Sequence, residues 1–175
     1  MTLPVLRADC SSCAALCCVA PAFDQSSRFA FSKPAGTPCP NLGADHGCSI
    51  HADLAARGFG GCVQFDCLGA GQHVVQDLFG GRSWRDDPAL APRMFEAFRV
   101  MRQVHEALEL LQLASALPLS ALQQAERGRL EDALWPATGW SEERLAGFER
   151  SELPAAVTGF LQSLRAVVPA SDRGR

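Results

Sequence analysis

No cysteine follows Cys67 in this 175-residue chain, although seven precede it. Lysine occurs once, at Lys33, among sixteen basic residues. No stretch approaches the ~18 apolar residues that a membrane span requires. The opening, Met1 to Asp9, has no basic n-region and no apolar run long enough for a signal peptide. These absences predict a cytoplasmic chain with no membrane partner, in a compartment where thiols stay reduced. A basic surface is lacking too. Residues 1–82 carry five basic and six acidic side chains, residues 83–175 carry eleven and thirteen, and the net charge is −3. Such a balance gives no electrostatic footprint for nucleic acid. Gly69-Ala70-Gly71 completes neither a dinucleotide-binding nor a phosphate-loop pattern, and it reads as a turn. No Ser/His/Asp or Cys/His/Asn set follows a recognisable catalytic motif. The carboxylate pairs Asp86-Asp87 and Glu131-Asp132 read as loop charge and a solvated helix face. Nothing marks the chain as an enzyme.

What is present is sulfur. Cys10, Cys13, Cys17, Cys18, Cys39, Cys48, Cys62 and Cys67 lie within 58 residues. Eight clustered thiols can be a disulfide framework, a metal or iron–sulfur site, or a redox-active thiol system. A reducing compartment favours metal. Cys10, Cys13 and Cys17 stand at i, i+3 and i+7, which on one helix places them within roughly 60° of one another. Cys18 follows about 100° further round. Asp9 or Ser11 suits the N-cap of such a helix, and Pro21 suits its end. Its N-terminal partial charge favours thiolates, the metal-binding form. The side chains of adjacent Cys17 and Cys18 diverge, so they serve different metal atoms, or one of them binds while the other packs. Cys62-x4-Cys67 is close to the short pairing of thiolate sites, and Cys39-x8-Cys48 is looser. Eight ligands suffice for two four-thiolate sites, or for one cluster plus one ion. Sulfur-rich tetrahedral sites suit zinc first and iron next. An iron–sulfur cluster serving electron transfer beside a partner enzyme is the alternative, although the bacterial ferredoxin spacing is absent. His51, at Cys48-x2-His51, has a permitted ligand spacing, and His46 lies nearby. The other reading for both is a polar residue at the rim.

These segments resemble a known family. Cys10 to Cys18, Cys39-Pro40-Asn41-Leu42, Cys48-Ser49-Ile50-His51 and Cys62-Val63-Gln64-Phe65-Asp66-Cys67 follow the order of the bacterial zinc- or iron-chelating cysteine-cluster domain. The version here looks most like the front half of certain pentapeptide-repeat proteins, though this chain carries no such repeats. The likeness covers roughly residues 9 to 75. Cys13-x3-Cys17 is one residue longer than the usual gap. Gly60 stands where proline is frequent, and His51 where tyrosine is common. The resemblance implies metal chelation by the eight cysteines and leaves the metal open.

The expected fold is mostly α. A small irregular, metal-stapled cysteine-cluster domain at 1–82 precedes a short-helix bundle at 83–168, and 169–175 forms a flexible tail. Phe23, Phe29 and Phe31 read as a lid over the metal site, with Phe29-Ala30-Phe31 as a short strand; the alternative is a substrate surface. Ala52 to Arg57 and Val74 to Phe79 read as short helices, stopped by Gly58 and by Gly80-Gly81. Downstream, Ala97, Met101, Val104, Leu108 and Leu111 repeat at helical spacing from Pro88 or Pro92 to about Ala116. Ser120 and Ser141 suit the caps of a second and a third helix, and Pro154 opens a fourth. The wide stripe of the first of these helices packs in a core or serves a protein partner.

Overall fold

The computed structural model describes residues 3–167, so the expected tail at 169–175 lies outside the described residues. The chain is mostly helical. Among the described residues no strand forms; the only pairings of that kind are isolated bridges at Phe23–Lys33, Ser26–Phe29 and Leu42–Cys48. Phe29-Ala30-Phe31 is therefore one side of a bridged loop and not a strand.

The longest element, Ala91–Ala114 (here α4), organises the packing. Asp87 accepts from the Ala89 amide at 3.1 Å and caps a 3₁₀ turn, Pro88–Leu90, that leads into it. Met94, Ala97, Phe98, Met101, Val104, Leu108 and Leu111 are buried along one side. Three later helices cover that side: α5 (Ala121–Leu134), α6 (Glu142–Gly147) and α7 (Leu153–Ser163). The apolar stripe of α4 thus lies in the protein's own core. Arg93 pairs with Glu142, and Arg99 bridges Glu96 and Glu149, across the exposed margins of these contacts.

Polar capping sets the helix starts. Ser120 Oγ accepts from the Gln123 amide at 3.3 Å, and Gln123 Oε1 accepts from the Ser120 amide at 2.9 Å. This capping box satisfies two otherwise orphaned amides. Ser120→Ala is expected to lower the unfolding free energy by about 1 kcal/mol, read from urea denaturation. Ser141 caps α6, and Pro154 occupies the first turn of α7. Gly128 leaves α5 uninterrupted. Leu122 is 84% exposed, because α5 turns Leu130 and Leu134 inward and leaves its first turn in solvent.

The N-terminal part has less regular structure. The expected single helix from Cys10 to Cys18 is two pieces, a 3₁₀ turn at Cys10–Ser12 and a short helix at Leu16–Val19 (α1). Asp9 explains the break. Its carboxylate accepts from the Ser11 amide at 3.0 Å, from Ser11 Oγ at 2.5 Å and from Ser12 Oγ at 2.7 Å, closing a local turn. Ala15 then takes a left-handed conformation with φ +53°. That costs an alanine about 1–2 kcal/mol. Burial of Ala14, Leu16 and Val19 offsets it.

Ala52 to Arg57 is a 3₁₀ turn at His51–Asp53 followed by irregular turns. Another short helix, α2, spans Gly60–Gln64. The helix expected from Val74 starts earlier: α3 spans Ala70–His73 and continues as a π turn through Leu78. Gly80 and Gly81 end it, both at positive φ. Ala14, Leu16, Val19, Ala70, Val74, Val75 and Phe79 join the α4 stripe in one continuous apolar cluster. Trp84 Nε1 donates to the Ala14 carbonyl at 2.8 Å and fixes α1 against the entry to α4. No helix of the described residues is long and apolar enough to cross a membrane.

Candidate functional site

All eight cysteines are free thiols. Backbone contacts sort them into two neighbourhoods. Cys10 opens the first 3₁₀ turn and Cys13 follows it, and Cys67 stands three residues before α3. Side chains of α3 clip the two segments together. Gln72 Nε2 donates to the Arg7 carbonyl at 3.1 Å, its Oε1 accepts from the Asp9 amide at 2.5 Å, and Gln76 Nε2 donates to the Ser12 carbonyl at 2.9 Å. The approach is close: a Cβ on Gly71 would stand 2.6 Å from Cys13 Sγ.

The second neighbourhood begins at Cys18, whose carbonyl accepts from the Cys39 amide at 3.0 Å. Cys39 in turn accepts from the Leu42 amide at 2.9 Å, and Leu42 bridges to Cys48. Cys62 is carried on α2, whose Gly61 amide donates to the Arg28 carbonyl at 3.0 Å. Phe29 lies so close over Gly61 that a Cβ there would meet its ring at 2.1 Å. Phe23 stacks on Phe29 at 4.4 Å, and Phe31 meets Phe23 and Phe59 at 5.8 and 5.0 Å. These rings form an apolar cluster beside Cys62.

The electrostatics follow the same division. Burial pushes the Cys13 thiol up to about 11, and Cys67 and Cys10 add to the rise. Cys10 is raised by burial and then by Cys67, with Asp9 and, from the other neighbourhood, Cys18 adding to the rise. Cys39 is raised by burial, with Cys18 and Cys48 contributing. Cys62 is raised by burial and then by Cys18, Cys39 and Cys48. The adjacent pair divides between the two sets. Cys17 Sγ lies 3.9 Å from Cys18 Sγ. Either sulfur can be the donor. Contact with Cys18 raises the Cys17 thiol, and burial, the Cys18 charge, Cys13 and Cys67 add to the rise. The same contact lowers Cys18 against the opposing effect of burial, with help from Lys33. One set is thus Cys10, Cys13, Cys17 and Cys67; the other is Cys18, Cys39, Cys48 and Cys62. Among the described residues no three His, Cys, Asp or Glu side chains converge on a single ion position. The sulfurs are neighbours, not a closed polyhedron.

The histidines lie elsewhere. His46, at φ +62°, has Nε2 3.1 Å from Ser83 Oγ. His51 sits exposed at the start of its 3₁₀ turn. His73 Nδ1 pairs with Asp77 Oδ2 at 2.7 Å. His105 is fully buried and donates from Nδ1 to the Leu68 carbonyl at 2.6 Å. Its Nε2 has no partner among the described residues. The His73 and His105 rings lie 5.1 Å apart and both pack on Trp135.

Lys33 is the residue that pattern reasoning missed. It is 3% exposed, and its Nζ donates to the carbonyls of Val19 at 3.1 Å, Pro34 at 3.0 Å and Thr37 at 2.9 Å. The one available signal was its rarity, a single lysine in an arginine-rich chain.

No protein-family model matches the chain. No solved structure matches it significantly. Among curated proteins the chain is similar to the uncharacterized protein YybG of Bacillus subtilis (strain 168), with 39% identity over 168 residues. The alignment covers 96% of this chain and 60% of YybG, so the chain spans well under the full length of that relative.

Proposed function

We propose that this chain is a cytoplasmic metal-binding protein that holds zinc or iron through its eight cysteines, as a structural or metal-handling module. Cys10, Cys13, Cys17 and Cys67 make one site, and Cys18, Cys39, Cys48 and Cys62 the other. The observation that carries this reading is the mutual crowding of thiols within each set. Burial raises Cys13 and Cys62 most, and neighbouring thiolates add to it by repulsion, Cys67 and Cys10 at Cys13 and Cys18, Cys39 and Cys48 at Cys62. A divalent ion reverses that cost, since it turns the repelling sulfurs into ligands. Free thiols in fours suit a thiophilic ion. Gly71 leaves Cys13 the room it occupies. The resemblance of the cysteine segments to metal-chelating cysteine-cluster domains agrees with this reading. Bound metal would supply local cross-links to a part of the chain that has little regular structure.

Anaerobic purification followed by elemental analysis and an absorption spectrum tests the proposal. The expected result is about two metal ions per chain, with the thiols protected from alkylation until chelator is added. A colourless protein identifies zinc. Visible charge-transfer absorption identifies an iron–sulfur centre and the electron-transfer alternative. Metal-free protein with freely alkylated thiols, or native disulfides found by mass spectrometry, overturns it.

A further inference from the structure

We propose that Lys33 is the positioning residue of the Cys18, Cys39, Cys48 and Cys62 set: a fixed internal cation that ties the segments bearing Cys18 and Cys39 together and balances their thiolates around a divalent ion. This rests on the metal reading above.

A buried ammonium needs its three donors satisfied and its charge compensated. The donors are satisfied by the carbonyls of Val19, Pro34 and Thr37. Val19 follows Cys18, and Thr37 stands two residues before Cys39. The same ammonium therefore grips both flanks of the Cys18–Cys39 contact, whose backbones already meet at 3.0 Å. The side chain is held firmly, since Lys33 exchanges backbone hydrogen bonds with Phe23 at 2.8 and 3.0 Å and its Nζ lies 5.5 Å from that ring. Compensation is the open requirement. Among the described residues no carboxylate pairs with Lys33. The negative charges that it feels are those of Cys39 and Cys18.

Four thiolates around one dication leave a double negative charge, and one fixed ammonium offsets half of it. Lys33 Nζ holds carbonyls that flank Cys18 and Cys39 and none beside Cys10, Cys13 or Cys67. The two sets are thus unequal, and the set beside Lys33 is the better-ordered host for a divalent ion.

The single lysine makes the test direct. The full-length protein is labelled with ¹³C-lysine, so that Lys33 gives the only lysine signal, and cobalt(II) is titrated in anaerobically. The Lys33 εCH₂ resonance is expected to shift strongly with the first equivalent and to change little with the second. Cobalt–thiolate absorption in variants reads the role of charge. Lys33→Gln is expected to weaken the first equivalent by about tenfold or more while the second binds as before. Lys33→Arg is expected to restore most of that loss. Two equivalents bound with an unmoved lysine signal, or equal binding by Lys33→Gln and wild type, overturn the role of Lys33 and leave the metal reading standing. Arg and Gln variants equally weak would overturn the charge role. No cobalt bound by the wild type sinks the metal reading itself.

Discussion

Leu16→Ala is expected to lower the unfolding free energy by about 2–5 kcal/mol. For a chain of this length that is a fall in melting temperature of roughly 10 °C. Leu16 is fully buried, yet it sits between Cys13 and Cys17. Its side chain belongs to the same apolar cluster as Val104, Leu108 and Leu111 of α4. Truncation therefore opens a cavity at the junction of the cysteine-bearing part and the bundle. If the parts share one cooperative core, far-UV circular dichroism and tryptophan fluorescence will report one transition, displaced equally. Trp84 donates to the Ala14 carbonyl and Trp135 packs on His73, so fluorescence reports the contacts between the two parts. Two separate transitions, with only the first displaced, would show that the N-terminal part melts alone. Leu122→Ala is the control. At 84% exposure it is expected to change stability by no more than about 0.5 kcal/mol.

The bundle was legible because its signals are local. Pro88, Pro92, Ser120, Ser141 and Pro154 mark helix starts by what their backbones and hydroxyls can do within one turn. The spacing of Met101, Val104, Leu108 and Leu111 then gives the buried face. Leu122 shows the limit of that argument. It fits the period of α5, but the period cannot say how far along the helix the core extends. The cysteine segment was less legible. Cys10, Cys13 and Cys17 fit a helical repeat, yet Asp9 captures the nearby amide and hydroxyls, and Ala15 reverses the chain. A local capping bond decided against a longer periodic pattern.

The eight candidate cysteines stand out in the sequence, and their grouping in space does not. The divergence expected of adjacent Cys17 and Cys18 does not occur, since their sulfurs lie 3.9 Å apart. Which distant cysteines each one joins depends on Gln72 and Gln76 holding the N-terminal segment, and on the Cys39 amide reaching the Cys18 carbonyl. Those contacts span up to 65 residues and leave no periodic trace. Lys33 is the sharpest case. A lone lysine normally reads as solvent-facing, and only the convergence of three carbonyls shows it to be interior.

Acid is expected to weaken the fold through His105. Burial pushes its imidazole down to about 4, so the folded protein keeps the ring neutral where an unfolded chain would protonate it near pH 6.5. A depressed pKa contributes stability that is intact above the unfolded value and is lost as pH falls toward the folded one. The window is thus about pH 6.5 to 4, and the full loss is up to about 3 kcal/mol. His105→Asn removes the titration and keeps a donor within reach of the Leu68 carbonyl. It also gives up ring contact with Trp135, which lowers stability by a constant amount at every pH. Urea denaturation at pH 7.5, 5.5 and 4.5 should therefore show wild type above the variant at pH 7.5 and the gap closing toward pH 4.5. Protonation of the thiols acts on both proteins and cancels in the comparison. Parallel curves would mean that His105 is not the acid-sensitive group. The consequence reaches the sulfur site, because Leu68 follows Cys67 and is held at φ +52°. A charged His105 can no longer stay dry beneath that carbonyl, so the loop that presents Cys67 loosens first.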